Sequence, residues 1–233
     1  MQLARRKKGI NEVLRNQETL AEKFILFDTD TVASMNHEFI RQSYLIRLLD
    51  IVLAIVGICF SVIPILFIAV AIKCDSKGPI LFIQERLGQY KRPFKLIKFR
   101  TMGVDAEKSG PAWAQKNDIR VTRIGRFLRR MRLDELPQLF NILMGNLSFV
   151  GPRPIREYFA DMLRQYNTAY DNRFLVKPGL SGWAQIFAPY GSTIEEQLAK
   201  LPYDLRYLKG LSVKDYLLII LLTVKSVLIG NGV

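Results

Sequence analysis

The sequence predicts an α+β fold, mostly helical, held at a membrane. Three observations carry that expectation. Ile51 to Ile72 is a run of 22 residues without a charge, bracketed by Asp50 and Lys73. Two short strand-like segments follow at 79–84 and 94–99, with Gly88 and Pro93 punctuating the link, so a β-hairpin is expected. Beyond them, apolar residues recur at helical spacing in a strongly basic remainder.

The apolar run is long enough to cross a bilayer core as a helix. Hydropathy alone favours one straight span. Ser61 and Pro64 fall in its middle, however, and a proline removes a backbone donor and crowds the preceding turn. Basic residues also flank both ends: Arg41 and Arg47 before, Lys73 and Lys77 after. Short basic flanks favour the cytoplasm, so a helix that bends and returns is the second reading. The residues leave both open. Residues 1–40 are mixed and polar, and no apolar stretch follows the basic Arg5–Lys8 as a signal peptide would require.

Charge narrows the function. The 233 residues carry 34 Lys+Arg against 21 Asp+Glu, a net of +13. Residues 1–50 hold 8 basic and 7 acidic residues, whereas 73–233 hold 26 and 14, so the surplus belongs to the C-terminal part. Such a surplus calls for an anionic partner: lipid headgroups, a phosphorylated substrate or nucleic acid. Linkage to a membrane segment argues against nucleic acid. His37 is the only histidine, and Cys59 and Cys74 are the only cysteines. That excludes a zinc cage and a histidine-based triad, and it provides no disulfide framework.

Residues 103–119 have no clean period and read as a loop. In 120–132, Ile124, Phe127, Leu128 and Met131 mark one helical face and six arginines supply the rest. This suits a membrane surface or a polyanion; a core helix with a solvated arginine face has the same pattern. Further helices are expected at 159–170, 194–208 and 216–229.

Arg132-Leu133-Asp134-Glu135-Leu136-Pro137 carries the most chemistry. Asp134 is a good N-cap, Pro137 suits a first helical turn, and Glu135 would sit where the helix dipole favours negative charge. An acidic helix start is the plain reading. The chemical reading is a carboxylate pair kept ionised by arginines, with Asp134 as a nucleophile and both groups as oxygen ligands for Mg²⁺. Gly151-Pro152-Arg153-Pro154 holds one arginine between two prolines, a rigid phosphate fork or simply a turn. Lys98, Arg100 and Arg129 are further phosphate candidates. Lys177 to Trp183 is a Gly-Pro loop that closes over a ligand or packs as a turn.

From about Tyr44 onward these pieces occur in a fixed order. Asp50 and the apolar run come first, then Asp75 to Pro79, Gln84-Glu85-Arg86-Leu87-Gly88, and Lys98-Phe99-Arg100-Thr101-Met102. After these come Ile124-Gly125-Arg126, Leu133 to Leu139, Ser148 to Pro154, Lys177 to Ala184, and Tyr203-Asp204-Leu205. The series resembles the bacterial sugar transferase family, the monotopic polyprenyl-phosphate phosphoglycosyl transferases. Departures are Ser61 and Pro64 three apart where the family has adjacent Ser-Pro, and Met131 and Arg132 in place of smaller residues.

The resemblance implies a monotopic membrane protein. In it, 1–40 is a polar extension, 41–77 a re-entrant membrane helix bent at Ser61 and Pro64, and 78–233 a cytoplasmic catalytic domain with interfacial helices. It implies residence in the bacterial inner membrane, with the catalytic domain on the cytoplasmic face. The implied reaction moves a sugar-1-phosphate from a UDP-sugar to a polyprenyl phosphate, undecaprenyl phosphate foremost, releasing UMP and starting a surface glycan. Asp134 would be the covalent nucleophile and Glu135 would hold Mg²⁺. Lys98, Arg129 and Arg153 would bind phosphate, and Asp204 would support the site. Whether the protein is a homo-oligomer stays open. The alternative is a non-enzymatic basic protein of membrane surfaces or polyanions. It accounts for the charge but leaves an acidic pair in the most basic segment without a purpose.

Overall fold

The computed structural model describes residues 37–229 apart from 109, 116, 117, 189 and 190; side chains are described from Gln42 onward. Of the polar extension 1–40, residues 1–36 and the side chain of His37 lie outside the described residues.

Helix α1 runs from His37 to Asp75. It continues through Ser61 and Pro64, where the sequence led us to expect an interruption. The Ser61 hydroxyl donates to the Ile58 carbonyl at 3.2 Å, satisfied within its own turn. Among the described residues, Gln42–Asp75 is the one segment long and apolar enough to cross a membrane. Much of it is uncovered, with Phe60, Ile63, Phe67 and Val70 all exposed.

The expected hairpin is present. Strands β1 (Leu81–Leu87) and β2 (Pro93–Phe99) pair antiparallel, with Leu81 opposite Phe99 and Leu87 opposite Pro93. Tyr90 and Lys91 make the turn in the left-handed region. Helix α2 (Arg123–Arg130) is shorter than its apolar pattern. Its N-terminus is fixed twice: the Thr122 hydroxyl accepts from the Gly125 amide, and the Asp75 carboxylate at the end of α1 accepts from the Ile124 amide. Leu128 is the buried anchor of its stripe, whereas Phe127 is exposed.

A 3₁₀ turn (Leu133–Glu135) leads into α3 (Gln138–Leu143), β3 (Ser148–Val150) and α4 (Glu157–Arg164). A second 3₁₀ stretch (Thr168–Leu175) replaces the end of the helix expected at 159–170. Strand β4 (Gly179–Ser181) pairs parallel with β3. Gly179 must be glycine, since a Cβ there would lie 2.0 Å from the Gly151 nitrogen. The Lys177–Trp183 loop is therefore a packed turn beneath the Arg153 segment. Helices α5 (Trp183–Phe187), α6 (Ile194–Leu198), α7 (Leu201–Leu205) and α8 (Val213–Leu228) complete the chain. The single helix expected at 194–208 is broken between Leu198 and Leu201, just ahead of Pro202 at the start of α7.

Of four hydrophobic clusters among the described residues, three include α1. Ile46, Leu49 and Leu53 pack with Tyr216 and Ile219 of α8. Ala54 and Ile58 pack with Leu96, Leu139 and Leu147. Ile65, Ile68 and Ile72 pack with Phe99, Leu128 and Leu133. Side chains 46 to 72 of one helix, about 39 Å of axis, thus share cores with the rest of the chain. Polar staples reinforce the seam. Arg47 donates to the Ile142 and Leu143 carbonyls at 2.7 and 2.8 Å. Buried Asp50 accepts from Ser148, the Phe149 amide and the Tyr216 hydroxyl at 2.9–3.0 Å.

Candidate active site

A cavity of about 960 Å³ opens between the hairpin, the 3₁₀ turn, the Arg153 segment and α5–α7. It gathers most of the residues singled out from the sequence: Lys98, Arg129, Asp134, Glu135, Arg153 and Asp204 all line it.

Asp134 does not cap a helix, contrary to the sequence expectation. Pro137 takes the N-cap position of α3, and Asp134 sits inside the 3₁₀ turn with only 8% of its surface exposed. The turn begins at Arg132, whose φ of +53° lies in the left-handed region. A non-glycine residue is strained there, and such strain gathers where a side chain must be aimed. Among the described residues no donor bonds to the Asp134 carboxylate. Its electrostatics also differ from the expectation. Burial, and then the Glu135 charge, push Asp134 up to about 6, although Lys98, Arg129 and Arg153 pull the other way. It is still mostly ionised at neutral pH.

Glu135 behaves oppositely. Burial disfavours its charge, but Arg153 donates to its Oε1 at 2.5 Å, and Arg132 and Lys98 add to the attraction. Together they hold Glu135 below the usual carboxylate range. Two adjacent carboxylates thus have divergent proton affinities, a pattern associated with divided chemical roles.

The cations are placed by neighbouring elements. Lys98 stands on β2 opposite Phe82, its Nζ 5.2 Å from that ring centre. Burial, with Arg86 next, lowers it to about 8. Asn141, fully buried on α3, secures β2 by accepting from the Ile97 amide and donating to the Lys95 carbonyl. Arg129 is aimed from α2 by its Nε donating to Thr101 at 2.9 Å. Arg153 is held through its main chain: its carbonyl accepts from Arg173, and Arg173 is paired with Asp204 at 2.8 Å and with the Tyr170 hydroxyl. Asp204 thus reaches the Arg153 segment through Arg173.

Arg100 is not placed like the others. Its Nη2 donates to the Ser76 carbonyl at 2.8 Å and its Nη1 to the Lys77 carbonyl. Its fork closes the end of α1, although the side chain borders the cavity. Sequence reasoning missed Arg173 and Asn141, which lie in unremarkable segments. Arg86 stood within a quoted motif without a role. It is now seen in the cavity wall, lowered to about 10 by burial and by Arg153 and Arg156.

Among the described residues no group of three or more His, Cys, Asp or Glu side chains is gathered as a metal cage. Asp134 and Glu135 fit a narrower demand: Mg²⁺ is commonly held by one or two carboxylates together with substrate phosphates.

A carboxylate pair with divergent proton affinities, ringed by cations, thus lies in one cavity of a chain that also has a long apolar helix. Comparison with known proteins gives the family. Residues 41–230 match the family model described as bacterial sugar transferase, and the chain belongs to that family. It is 38% identical to the UDP-N-acetylgalactosamine-undecaprenyl-phosphate N-acetylgalactosaminephosphotransferase of Aeromonas hydrophila, over 82% of this chain and 45% of the relative. It is 45% identical to the UDP-glucose:undecaprenyl-phosphate glucose-1-phosphate transferase of Klebsiella pneumoniae, over 76% and 39%. It is 36% identical to the galactosyl transferase CpsE of Streptococcus agalactiae serotype III (strain NEM316), over 96% and 52%. The chain thus spans about half the length of these relatives or less.

Proposed function

We propose that this chain is a phosphoglycosyl transferase that moves a sugar-1-phosphate from a UDP-sugar to a polyprenyl phosphate, with undecaprenyl phosphate the acceptor suggested by the relatives' names. The observation that carries the reading is Asp134: a buried, ionisable carboxylate, bonded to no donor among the described residues and attracted by three cations, Lys98, Arg129 and Arg153. In the first half-reaction an Asp134 oxygen attacks the β-phosphorus of the UDP-sugar. The bond from that phosphorus to the bridging oxygen breaks, and UMP leaves with the electron pair. The sugar-phosphate remains on Asp134 as an acyl phosphate. In the second, an oxygen of the polyprenyl phosphate attacks the same phosphorus, the acyl-phosphate bond breaks, and the Asp134 carboxylate is regenerated. Lys98, Arg129 and Arg153 bind the phosphoryl oxygens, where fixed positive charge stabilises the transfer. Asp134 and Glu135 would hold Mg²⁺, which supplies further charge neutralisation on the diphosphate.

The reading includes a place. The apolar surfaces of α1 and α8 enter the inner membrane from the cytoplasmic side, and α1, unbroken through Ser61 and Pro64, keeps both ends on that side by lying along the domain it packs against. Its support is the packing: the domain that carries the site shares cores with α1 along about 39 Å of axis. A straight span would draw part of that seam away from the aqueous domain. The product would start a surface glycan.

The test uses labelled UDP-sugar without acceptor. The protein should take up a sugar-phosphate label that hydroxylamine releases, and Asp134→Asn should take up none. Stable labelling of the Asn variant, or turnover only when both substrates are present and with no covalent species, overturns the assignment of Asp134.

A further inference from the structure

Strand β1 turns alternate residues to the cavity, as a pleated strand does. Phe82, Gln84 and Arg86 line it beside Lys98 of β2, whereas Leu81, Ile83 and Glu85 are exposed. Lys98 has a part in the proposed reaction. Arg86 has none so far, although it stands in one of the ordered motifs of the sequence. It is a cation without an acid. Its Nη2 donates to Gln84 Oε1 at 2.5 Å, and its Nη1 reaches the Pro154 carbonyl only at 3.4 Å. Both acceptors are neutral, and Arg86 forms no ion pair among the described residues. Glu107 attracts it, but Arg156 holds that carboxylate at 2.9 Å. Burial and the charges of Arg153 and Arg156 all oppose its protonated form. Cations gathered and partly desolvated in this way are costly unless an anion joins them.

The cations of the cavity form a connected set. Lys98, Arg129 and Arg153 act on Asp134, while Arg86 acts on Lys98 and is opposed by Arg153 and Arg156. The three around Asp134 suit the phosphoryl group being transferred. Arg86 extends the set beyond them. A purely structural Arg86 would have to brace Pro154, and a 3.4 Å contact is a poor brace. Its short bond to Gln84 instead fixes the plane of the guanidinium and leaves further N–H groups on both terminal nitrogens.

We propose that Arg86, aimed by Gln84, binds the substrate phosphate that is not transferred. The assignment rests on the transferase reading for its ligands. Two substrates bring such a phosphate: the nucleotide, whose α-phosphate leaves with UMP, and the lipid acceptor, whose phosphate attacks. In phosphoryl transfer the attacking and leaving oxygens stand roughly in line through the phosphorus. With Asp134 on one side in both half-reactions, the departing phosphate and the arriving one occupy the same opposite side in turn. Each is anionic there, and the departing one gains charge as its bond breaks. An arginine suits that seat, since its planar fork meets two oxygens of one phosphate.

The test is made on the full chain in detergent with Arg86→Gln, which removes the charge, and Arg86→Lys, which keeps the charge but not the fork. Dissociation constants are measured for UMP and for uridine. The KM for undecaprenyl phosphate is taken from discharge of protein that already has the sugar-phosphate label. Arg86→Gln should weaken UMP about tenfold, leave uridine within about twofold of native, and raise the KM for undecaprenyl phosphate by a factor similar to that for UMP. Arg86→Lys should move the same two quantities less. Uridine reports on the fold, because a distorted site loses it together with UMP. A change confined to UMP, or to undecaprenyl phosphate, supports the seat and assigns it to that substrate. If neither changes, or if both variants lose UMP and uridine equally, Arg86 is a structural residue and the assignment is overturned. Native protein whose UMP affinity depends on Arg86 in this way, yet which takes up no label, leaves the seat standing and defeats the transferase reading instead.

Discussion

Asp134 and Lys98 have opposite needs that meet in a narrow pH range. On the proposed mechanism Asp134 attacks only when ionised, and burial raises it to about 6, so activity should fall as pH drops through that value. On the same mechanism Lys98 would hold phosphate only as a cation, and burial lowers it to about 8, so activity should fall again as pH rises through that value. The profile of kcat/KM should therefore be a bell with limbs near these two values. Lys98→Arg keeps the charge at all accessible pH, so it should remove the alkaline limb while lowering the maximum. An alkaline limb unmoved in that variant would assign it to another group. At this scale the sequence was a good guide to which residues meet and a poor one to their environment. Composition and motif singled out Asp134, Glu135, Lys98, Arg129 and Arg153, and the fold brings them to one cavity. That Arg100 closes α1, or that Asp134 is raised rather than lowered, depends on neighbours distant in the chain.

Helix α2 illustrates how an element sets a residue. Gly125 lies against the Thr101 carbonyl so closely that a Cβ would come within 2.2 Å of its oxygen. That carbonyl also accepts the Thr122 amide, and the Thr101 side chain accepts from Arg129. Gly125→Ala must push α2 away and carry Arg129 with it. A displacement of about 1 Å can cost on the order of 100-fold in rate, and kcat/KM should fall by that order while circular dichroism stays native. Full activity would mean that the seam gives way without moving Arg129. Topology belongs to the same scale. Single cysteines at Leu45 and Lys77, after replacement of Cys59 and Cys74, should both resist an impermeant thiol reagent applied to intact cells. Labelling of either from outside sinks the re-entrant placement of α1. Pro64→Leu should push the segment towards a full span. The hairpin and α8 were legible because their periods are long enough to read. Strand β4 was not, because three residues carry no period and its pairing is set by Gly151 and Gly179 approaching across the fold.

Across the whole molecule, the long apolar helix has two surfaces with different duties. One is the exposed row of Phe60, Ile63, Phe67 and Val70, and the other reaches into three hydrophobic clusters. Hydropathy registered only the first, because a lipid-facing side chain and a core-facing one have the same composition. The second makes α1 a structural part of the domain that carries the candidate site rather than a tether to it. Leu96, Leu139, Phe99 and Leu128 are buried in clusters that α1 completes. A version beginning at residue 76 would bare those side chains together, so it should be insoluble or aggregate even though the exposed apolar row has been removed. Restoring an unrelated transmembrane helix in front of it would return the chain to the membrane without returning the fold. Recovery of a folded, monomeric 76–233 would show that the cores close on their own. The segment that looks like the most replaceable part of the chain is then the one with the least freedom to be exchanged: it is hull and keel at once.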